Sequence, residues 1–307
     1  MGKKKEKSKK LMGEAEFDLY YENEYGNRWN ELKKSLFQDN VYVRFCQSGQ
    51  SEYFLDPASV CAALSLPLGG KKKIVDLCAA PGGKTLILSS TMDEDAFLFS
   101  NERSAERKAR LVKVVDSSLP SEISCRIKTS CSDGARWCKN EIEAYGAVFL
   151  DAPCSSERHV LSDSKYLDVW TPSRVKTLSM EQWALLSSAW RLLEKDGFLV
   201  YGTCALASAE NDGVLERLIK KFDDVEFLEK DKIKEVFTEN LSKVKSSLSM
   251  ENKTSDETCE RLMNLFFSAE KTIYGYHILP DSSFGAGPIY WSVLHKASKK
   301  DSENSNS

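Results

Sequence analysis

The feature that most constrains this chain is an alternation. Short runs rich in β-branched and aromatic residues, IVDL (74–77), FLFS (97–100), RIKT (126–129), AVFLD (147–151) and FLVYG (198–202), are separated by amphipathic stretches near 84–91, 104–117, 173–195 and 208–221. Parallel strands cannot be joined by a tight turn. Each needs a crossover long enough to return to the same end of the sheet, and stretches of this length supply helices for it. The pattern predicts an α/β fold of βαβ units, with a mostly parallel sheet and helices on both faces. In such sheets ligands bind beyond the carboxyl ends of the strands, so the residues that close each run are the candidates for function.

Around this body the chain divides into parts, and no internal repeat is present. Phe17, Tyr20, Tyr21, Tyr25, Trp29, Leu32 and Leu36 recur at spacings of three and four, which predicts a helical cap over 14–70. Pro57 after Asp56 marks a helix start within it. The main domain is expected over 71–297, closing with an antiparallel hairpin of TIYGYHI (272–278) and IYWSVLH (289–295) around the turn-rich PDSSFGAGP. Residues from about 229 to 270 are charged, serine-rich and poorly periodic, with ETCERLMNLFF (257–267) as a short helix and no assigned role. Residues 1–13 read as a basic flexible tail and 298–307 as a disordered one. Trp170, Trp183 and Trp190 are expected in the core, since Trp183 and Trp190 repeat at helical spacing with Leu186 and Leu193.

Composition excludes some classes. With 29% charged residues, the chain has no apolar run near the roughly 18 residues of a spanning helix. Nine cysteines without a CxxC pair argue against a disulfide framework and a structural zinc site, and no metal is expected. Free thiols, and no visible signal or transit peptide, make the cytoplasm the expected compartment, with an organelle as the lesser alternative. The net charge is -3, yet residues 1–10 hold six lysines and one glutamate. That arm reads as a solubilising tail, or alternatively as a source of weak, salt-sensitive attraction to phosphate.

The first run opens into Asp76-Leu77-Cys78-Ala79-Ala80-Pro81-Gly82-Gly83-Lys84-Thr85, a loop of small residues whose backbone a ligand can approach closely. A phosphate loop, GxxxxGK[ST], requires glycine where this chain has Cys78, and no GxGxxG is present. A nucleoside-binding loop remains, for which a ribose-binding acid is expected about 20 residues further on. Glu102 stands there, and it also reads as the first-turn acid of the next helix. Asp133, in CSDGARW, is placed for an adenine amino group, and Asp151 closes the fourth run. Each doubles as a cap or turn former, but three acids at successive strand ends reinforce one another. Two thiols, Cys154 in DAPCSS and Cys204 in GTC, each follow a core run and reach the same rim. Cys46, Cys61, Cys125, Cys131, Cys138 and Cys259 read as small buried hydrophobes.

In this order DLCAAPGGKT, DAPCSS and GTC resemble the Sun/Nop (RsmB-like) family of AdoMet-dependent RNA cytosine-5 methyltransferases. The resemblance runs from about residue 15 to 297. FDLYYENEYGNRW, DPASV and GPIYWSVL add to it, pointing to the small single-domain members, which include mitochondrial ribosomal and transfer RNA enzymes. It implies a Rossmann-like class I methyltransferase domain, S-adenosyl-L-methionine as cofactor, and ribosomal or transfer RNA as substrate. Carbon 5 of cytosine is a poor nucleophile, so a thiolate first adds to carbon 6. By the resemblance Cys204 is that thiol, Asp151 holds the cytosine edge and assists its protonation, Lys84 organises the site, and Cys154 assists product release. Cys78, Ala79, Ala80, Pro81, Gly82, Gly83, Lys84, Glu102, Asp133 and Asp151 would line the cofactor pocket, with Glu102 on the ribose and Asp133 at the adenine end.

DNA methyltransferases with a Pro-Cys nucleophile suggest the opposite assignment, with Cys154 attacking, and spacing alone does not separate the two. Gly202 stands where relatives commonly have serine, which loosens one local hydrogen bond and leaves the thiol. Arg158 and His159 are placed to touch RNA phosphate or the flipped base, or equally to serve as a surface ion-pair partner and a cap. The alternatives to an RNA methyltransferase are a DNA cytosine-5 methyltransferase, disfavoured because no target-recognition domain is left to assign, and a non-catalytic RNA-binding or ribosome-assembly factor, for which two rim thiols have no use. RNA affinity is expected from the cap, the lysine arm, a protein partner or a ribosomal particle.

Overall fold

The computed structural model of the chain describes residues 12–298, so the expected tails lie outside it except for Met12, Gly13 and Ser298. Two short strands, β1 (Val43–Phe45) and β2 (Tyr53–Leu55), precede the body. The five expected runs form β3 (Lys73–Asp76), β4 (Phe97–Glu102), β5 (Ile127–Cys131), β6 (Tyr145–Asp151) and β7 (Leu193–Thr203). After them come β8 (Val225–Phe227), β9 (Leu248–Ser249), β10 (Glu270–Lys271), β11 (Tyr276–Ile278) and β12 (Ile289–Lys296).

The five runs pair in parallel in the order β5-β4-β3-β6-β7. β12 then joins β7 antiparallel, with β11 and β10 beyond it and β8 also on β12. The chain builds outward from β3 through β4 to β5, returns, and builds the other way through β6 and β7. The reversal between β3 and β6 is a topological switch point, where the crossovers leave to opposite faces and a crevice opens at the carboxyl end.

Strand period two divides the core between the faces. Ile74, Ala147, Phe149 and Val200 meet Ala62, Leu86, Leu111, Phe237 and Leu262 from helices Pro57–Leu64, Gly83–Thr91, Ala105–Ser118, Lys230–Val244 and Ser255–Ser268. Val75, Val148, Leu150 and Leu199 meet Leu186, Trp190, Leu215 and Leu218 from helices Pro172–Leu192 and Asp212–Lys221. A third cluster, Phe17, Tyr21, Trp29 and Leu32 with Trp170 and Leu206, seats the helices Glu14–Tyr25 and Trp29–Ser35 over the strand-end rim. Trp170 and Trp190 are buried, and Trp183 is partly buried against the second cluster.

Several local expectations change. The helix expected over 173–195 ends at Leu192, because Leu193 already pairs with Tyr145 ahead of an irregularity in which Ala147 pairs with Phe198. The stretch 229–270 is mostly helical: Ile233, Phe237, Leu241 and Val244 form a buried stripe that its charged neighbours obscure in the sequence. The segment 14–70 also contains β1 and β2, which pair with each other and, through β1, with β9 in a separate antiparallel sheet of order β2-β1-β9. Of the expected hairpin, 289–295 is fully strand, whereas only Tyr276–Ile278 of its partner is continuous.

Candidate active site

Strand register explains how the two thiols meet. Asp151 of β6 lies beside Gly202 of β7, and the next amide, Ala152 N–H, donates to the Gly202 carbonyl at 2.8 Å. Cys154 and Cys204 follow within three residues of that fixed pair, and their sulfurs stand 2.8 Å apart. Both are free thiols, half-buried. The hydrogen bond with Cys204, then burial, raises the Cys154 thiol above its ordinary pKa. Lys84, in the first turn of the helix Gly83–Thr91, donates from Nζ to Asp151 Oδ2 at 2.7 Å. Burial pulls its ammonium down, but the Asp151 carboxylate outweighs that and raises it.

The loop after β3 is shaped by small residues. Gly82 adopts φ +119°, a conformation open to glycine, and a Cβ there would stand 3.0 Å from Val114 Cγ1. A Cβ on Gly83 would fall 2.4 Å from Leu55 Cδ2 of β2. Asp76, at the end of β3, accepts from Thr85 Oγ1 at 2.7 Å, and burial pushes its carboxyl up to about 7. Asn101 ties three loops together, with Nδ2 donating to the carbonyls of Leu77 and Ser132 at 3.1 and 3.0 Å.

Two clefts flank this loop. The larger, of about 460 Å³, is lined by Cys78, Glu102, Asp133, Gly134, Pro153 and Leu185 among others. Its volume falls within the range of small-molecule sites. Glu102 Oε1 accepts from Ser104 N–H at 2.9 Å, whereas Oε2 is buried without a hydrogen bond, and Arg107 Nη1 stands 3.4 Å away at ion-pair distance. A buried carboxylate oxygen left open in a cleft suits a pair of hydroxyls. The smaller cleft, of about 130 Å³, brings Lys84 and Asp151 together with Cys78, Ala79, Ala80, Pro81 and Gly83 and with Phe54 of β2.

The structure thus brings Cys154 and Cys204 together and ion-pairs Lys84 with Asp151, while Glu102 and Asp133 border the larger cleft. Gly82 packs toward Val114 instead of lining either cleft. Asp133 is exposed and uses Oδ1 to cap its own turn, accepting from Ala135 N–H at 3.1 Å. Arg158 Nη1 donates to Gln38 O and Asn40 Oδ1, and exposed His159 packs on Tyr166.

Against known proteins, the family described as 16S rRNA methyltransferase RsmB/F matches residues 63–258. The chain belongs to that family. It is 35% identical over 202 residues to the 5-cytosine rRNA methyltransferase NSUN4 of Xenopus laevis, covering 62% of this chain and 49% of the relative. It is 30% identical over 246 residues to the mitochondrial tRNA (cytosine(34)-C(5))-methyltransferase of Danio rerio, covering 80% and 60%. The chain therefore spans about half to three-fifths of these relatives' length. Among solved structures, a methyltransferase homolog protein from Pyrococcus horikoshii superposes with a TM-score of 0.62 at 16% identity, covering 91% of this chain and 94% of that one. NSun6 from the same organism, solved with SFG, gives 0.56 at 18%, covering 81% and 54%. These likenesses show the Rossmann-like methyltransferase fold.

In this RsmB/F family member the sequence reading passed over the support behind the thiols. Glu157 is buried and accepts from Ser155 Oγ and Tyr21 OH on one oxygen and from Leu206 N–H at 2.9 Å on the other. It thereby joins the Cys154 loop, the Cys204 loop and the first helix. Glu210, also buried, accepts at Oε2 from Ser155 N–H at 3.0 Å and from Gln182 Nε2 at 2.7 Å. Burial raises both carboxyls. The available signal was their position, Glu157 three residues after Cys154 and Glu210 six after Cys204, but each reads in sequence as an ordinary helix-start acid.

Proposed function

We propose that the chain is an RNA cytosine-5 methyltransferase that uses S-adenosyl-L-methionine and passes through a covalent cysteine–cytosine intermediate. The observation that carries this is the pair of thiols 2.8 Å apart at the switch point. The Lys84–Asp151 ion pair and the cleft containing the open Glu102 oxygen flank it. The cofactor fits this chain's donor set: Glu102 Oε2 would accept from the ribose hydroxyls, the Cys78–Gly83 backbone would hold the amino-acid end, and Asp133 borders the adenine end. When bound, it supplies an electrophilic methyl group.

The residues then divide the remaining work. Cys204 sulfur adds to carbon 6 of an extruded cytosine, and the ring π electrons move toward carbon 5 as ring nitrogen 3 takes a proton held at the Asp151 side. Lys84, ion-paired with Asp151 at the same strand-end rim, supplies a cation beside the site. After carbon 5 gains the methyl group, its hydrogen leaves as a proton to solvent, the pair left behind forms the carbon 5–carbon 6 double bond as Cys204 departs with the sulfur–carbon 6 electrons, and nitrogen 3 gives its proton back at the Asp151 side. Cys154 assists that release; the assignment of Cys204 as the attacking group rests on the family resemblance. Extruding a base costs a few kcal/mol in duplex, which favours cytosines in loops or opened helices.

Ribosomal and transfer RNA are the proposed substrates, since relatives of both names match. A protein partner or ribosomal particle is proposed to add RNA affinity, and free thiols support the cytoplasm as the compartment. The test is incubation of the purified chain with methyl-labelled S-adenosylmethionine and RNA from cells lacking cytosine methylation, followed by digestion to nucleosides. Label in 5-methylcytidine is expected. Cofactor binding without label in any nucleoside overturns the reading in favour of the assembly-factor alternative.

A further inference from the structure

The β2-β1-β9 sheet packs one face and leaves the other uncovered. Val43, Phe45, Leu55 and Leu248 are buried on its inner side. Strand alternation places Tyr42, Arg44 and Phe54 on the outer side, where Tyr42 is 48% and Phe54 58% exposed. Arg44 pairs with Phe54 in one ladder and with Ser249 in the other, so cation and ring stand side by side. Rings this exposed over a packed inner face add little to folding, and a patch of them marks a contact surface.

Two observations indicate what covers this face. The first is continuity. Phe54 lines the small cleft with Lys84 and Asp151, and it also lines a groove of about 700 Å³ that runs past Arg44 and Tyr42 to Lys253 and Arg261. The second is charge. The groove itself carries Arg44, Lys253 and Arg261 against one acid, Glu251, with Glu257 and Glu260 in the adjoining groove, although the chain as a whole is acidic. Arg261 makes no salt bridge among the described residues, and the Arg44–Glu52 pair is exposed on both sides and readily exchanged for phosphate. Phe284, 78% exposed, stands with Arg261 where a second groove adjoins the first.

Building on the reading above, we propose that this face is a platform for the single-stranded RNA beside the target cytosine. Phe54 stacks on the adjoining base as the cytosine enters the cleft, Tyr42 and Phe284 receive further bases, and Arg44, Lys253 and Arg261 follow the phosphates. Aromatic faces interleaved with cations hold single strands with little regard for sequence. Stacking on Phe54 also offsets part of the cost of extruding the target.

The test is fluorescence anisotropy of the full chain with a labelled oligouridylate of about 12 nucleotides carrying one central cytosine, across a salt series. Phe54→Ala is expected to weaken binding about tenfold, and Phe54→Trp to restore it. The double variant Arg44→Ala/Arg261→Ala is expected to weaken binding and to flatten the slope of log K against log salt by about 0.7 per cation removed. Its affinity for S-adenosylmethionine should be unchanged, and melting temperatures of all variants should match wild type, since the substituted side chains are not core. Wild-type affinity and salt slope in both the Phe54→Ala and the double variant would overturn the platform and leave the face to a protein partner. A wild type that binds the oligomer yet labels no cytosine in cellular RNA sinks the enzymatic reading alone. Undiminished RNA binding by the variants, with methylation intact, sinks the platform alone.

Discussion

On the β3-β4-β5 side of the crevice most of the site is made of backbone and of side chains close in sequence, with Asn101 as a longer link between its loops. Gly82 turns the loop, Thr85 bonds Asp76 nine residues away, and Ser104 N–H bonds Glu102 two residues away. On the β6-β7 side it is made of distant parts: Tyr21, Ser155 and Leu206 converge on Glu157, while Ser155 and Gln182 converge on Glu210. The first side presents a fixed shape with an oxygen left open. The second holds two sulfurs in register through buried carboxylates with neighbours from four regions of the chain. The difference suits the tasks proposed for them, since a bound nucleoside would need complementary surface, whereas two thiols acting in turn would need positions that do not drift.

The largest expected difference between the sides is in stability. Glu157→Ala leaves Tyr21 OH, Ser155 OH and Leu206 N–H buried without an acceptor, and denaturant unfolding should show a loss of about 3–5 kcal/mol. Glu102→Ala should change it by about 1 kcal/mol or less, because Oε2 receives no hydrogen bond and its ion pair with half-exposed Arg107 is long. Equal losses in the two variants would break the comparison.

The next largest effect belongs to Asp76, the buried acid of the local side. Its carboxyl, ordinarily near 3.8, is pushed up to about 7 chiefly by burial, against the hydrogen bond from Thr85 and with the Asp151 charge adding to the rise. Between these values the folded chain holds a proton that the unfolded chain has released. Its contribution to stability is therefore complete below about pH 4 and is lost as pH rises through about 7, by up to about 1.4 kcal/mol per pH unit. Melting temperatures measured across that window should show Asp76→Asn with a flatter dependence than wild type. An unchanged slope would remove Asp76 from the account.

A smaller effect tests the cleft. Glu102→Gln keeps the size of the side chain but removes the charge facing the proposed ribose hydroxyls, and calorimetry should show S-adenosylmethionine binding weakened about 10- to 100-fold. Wild-type affinity in this variant would place the ribose elsewhere.

The same contrast governs what the sequence revealed. The local side was legible because its signals lie within a few residues: period-two runs, a small-residue loop after the first, and an acid closing the next strand. Even there β4 runs on to Glu102, so that residue ends a strand before it precedes a helix. The proximity of Cys154 and Cys204 followed from both lying just past parallel neighbours. Glu157 and Glu210 were not legible, because an acid near a helix start looks the same whether it is solvated or receives three buried hydrogen bonds. The β2-β1-β9 sheet was hidden for a related reason: strands of two or three residues carry almost no periodicity, and β9 lies some 200 residues beyond β1. The stripe Ile233, Phe237, Leu241 and Val244 was present in the sequence, but its charged surroundings masked it.

In the proposed mechanism the two sulfurs have successive, different tasks on one cytosine. The most direct measurement resolves RNA–protein adducts on a denaturing gel after incubating RNA and labelled S-adenosylmethionine with wild type, Cys204→Ala and Cys154→Ala. No adduct and no methyl transfer are expected with Cys204→Ala, and an accumulating adduct with Cys154→Ala, because the sulfur–carbon 6 bond forms but is not released. Loss of both adduct and transfer in Cys154→Ala, with Cys204→Ala still forming the adduct, would contradict it and make Cys154 the attacking thiol.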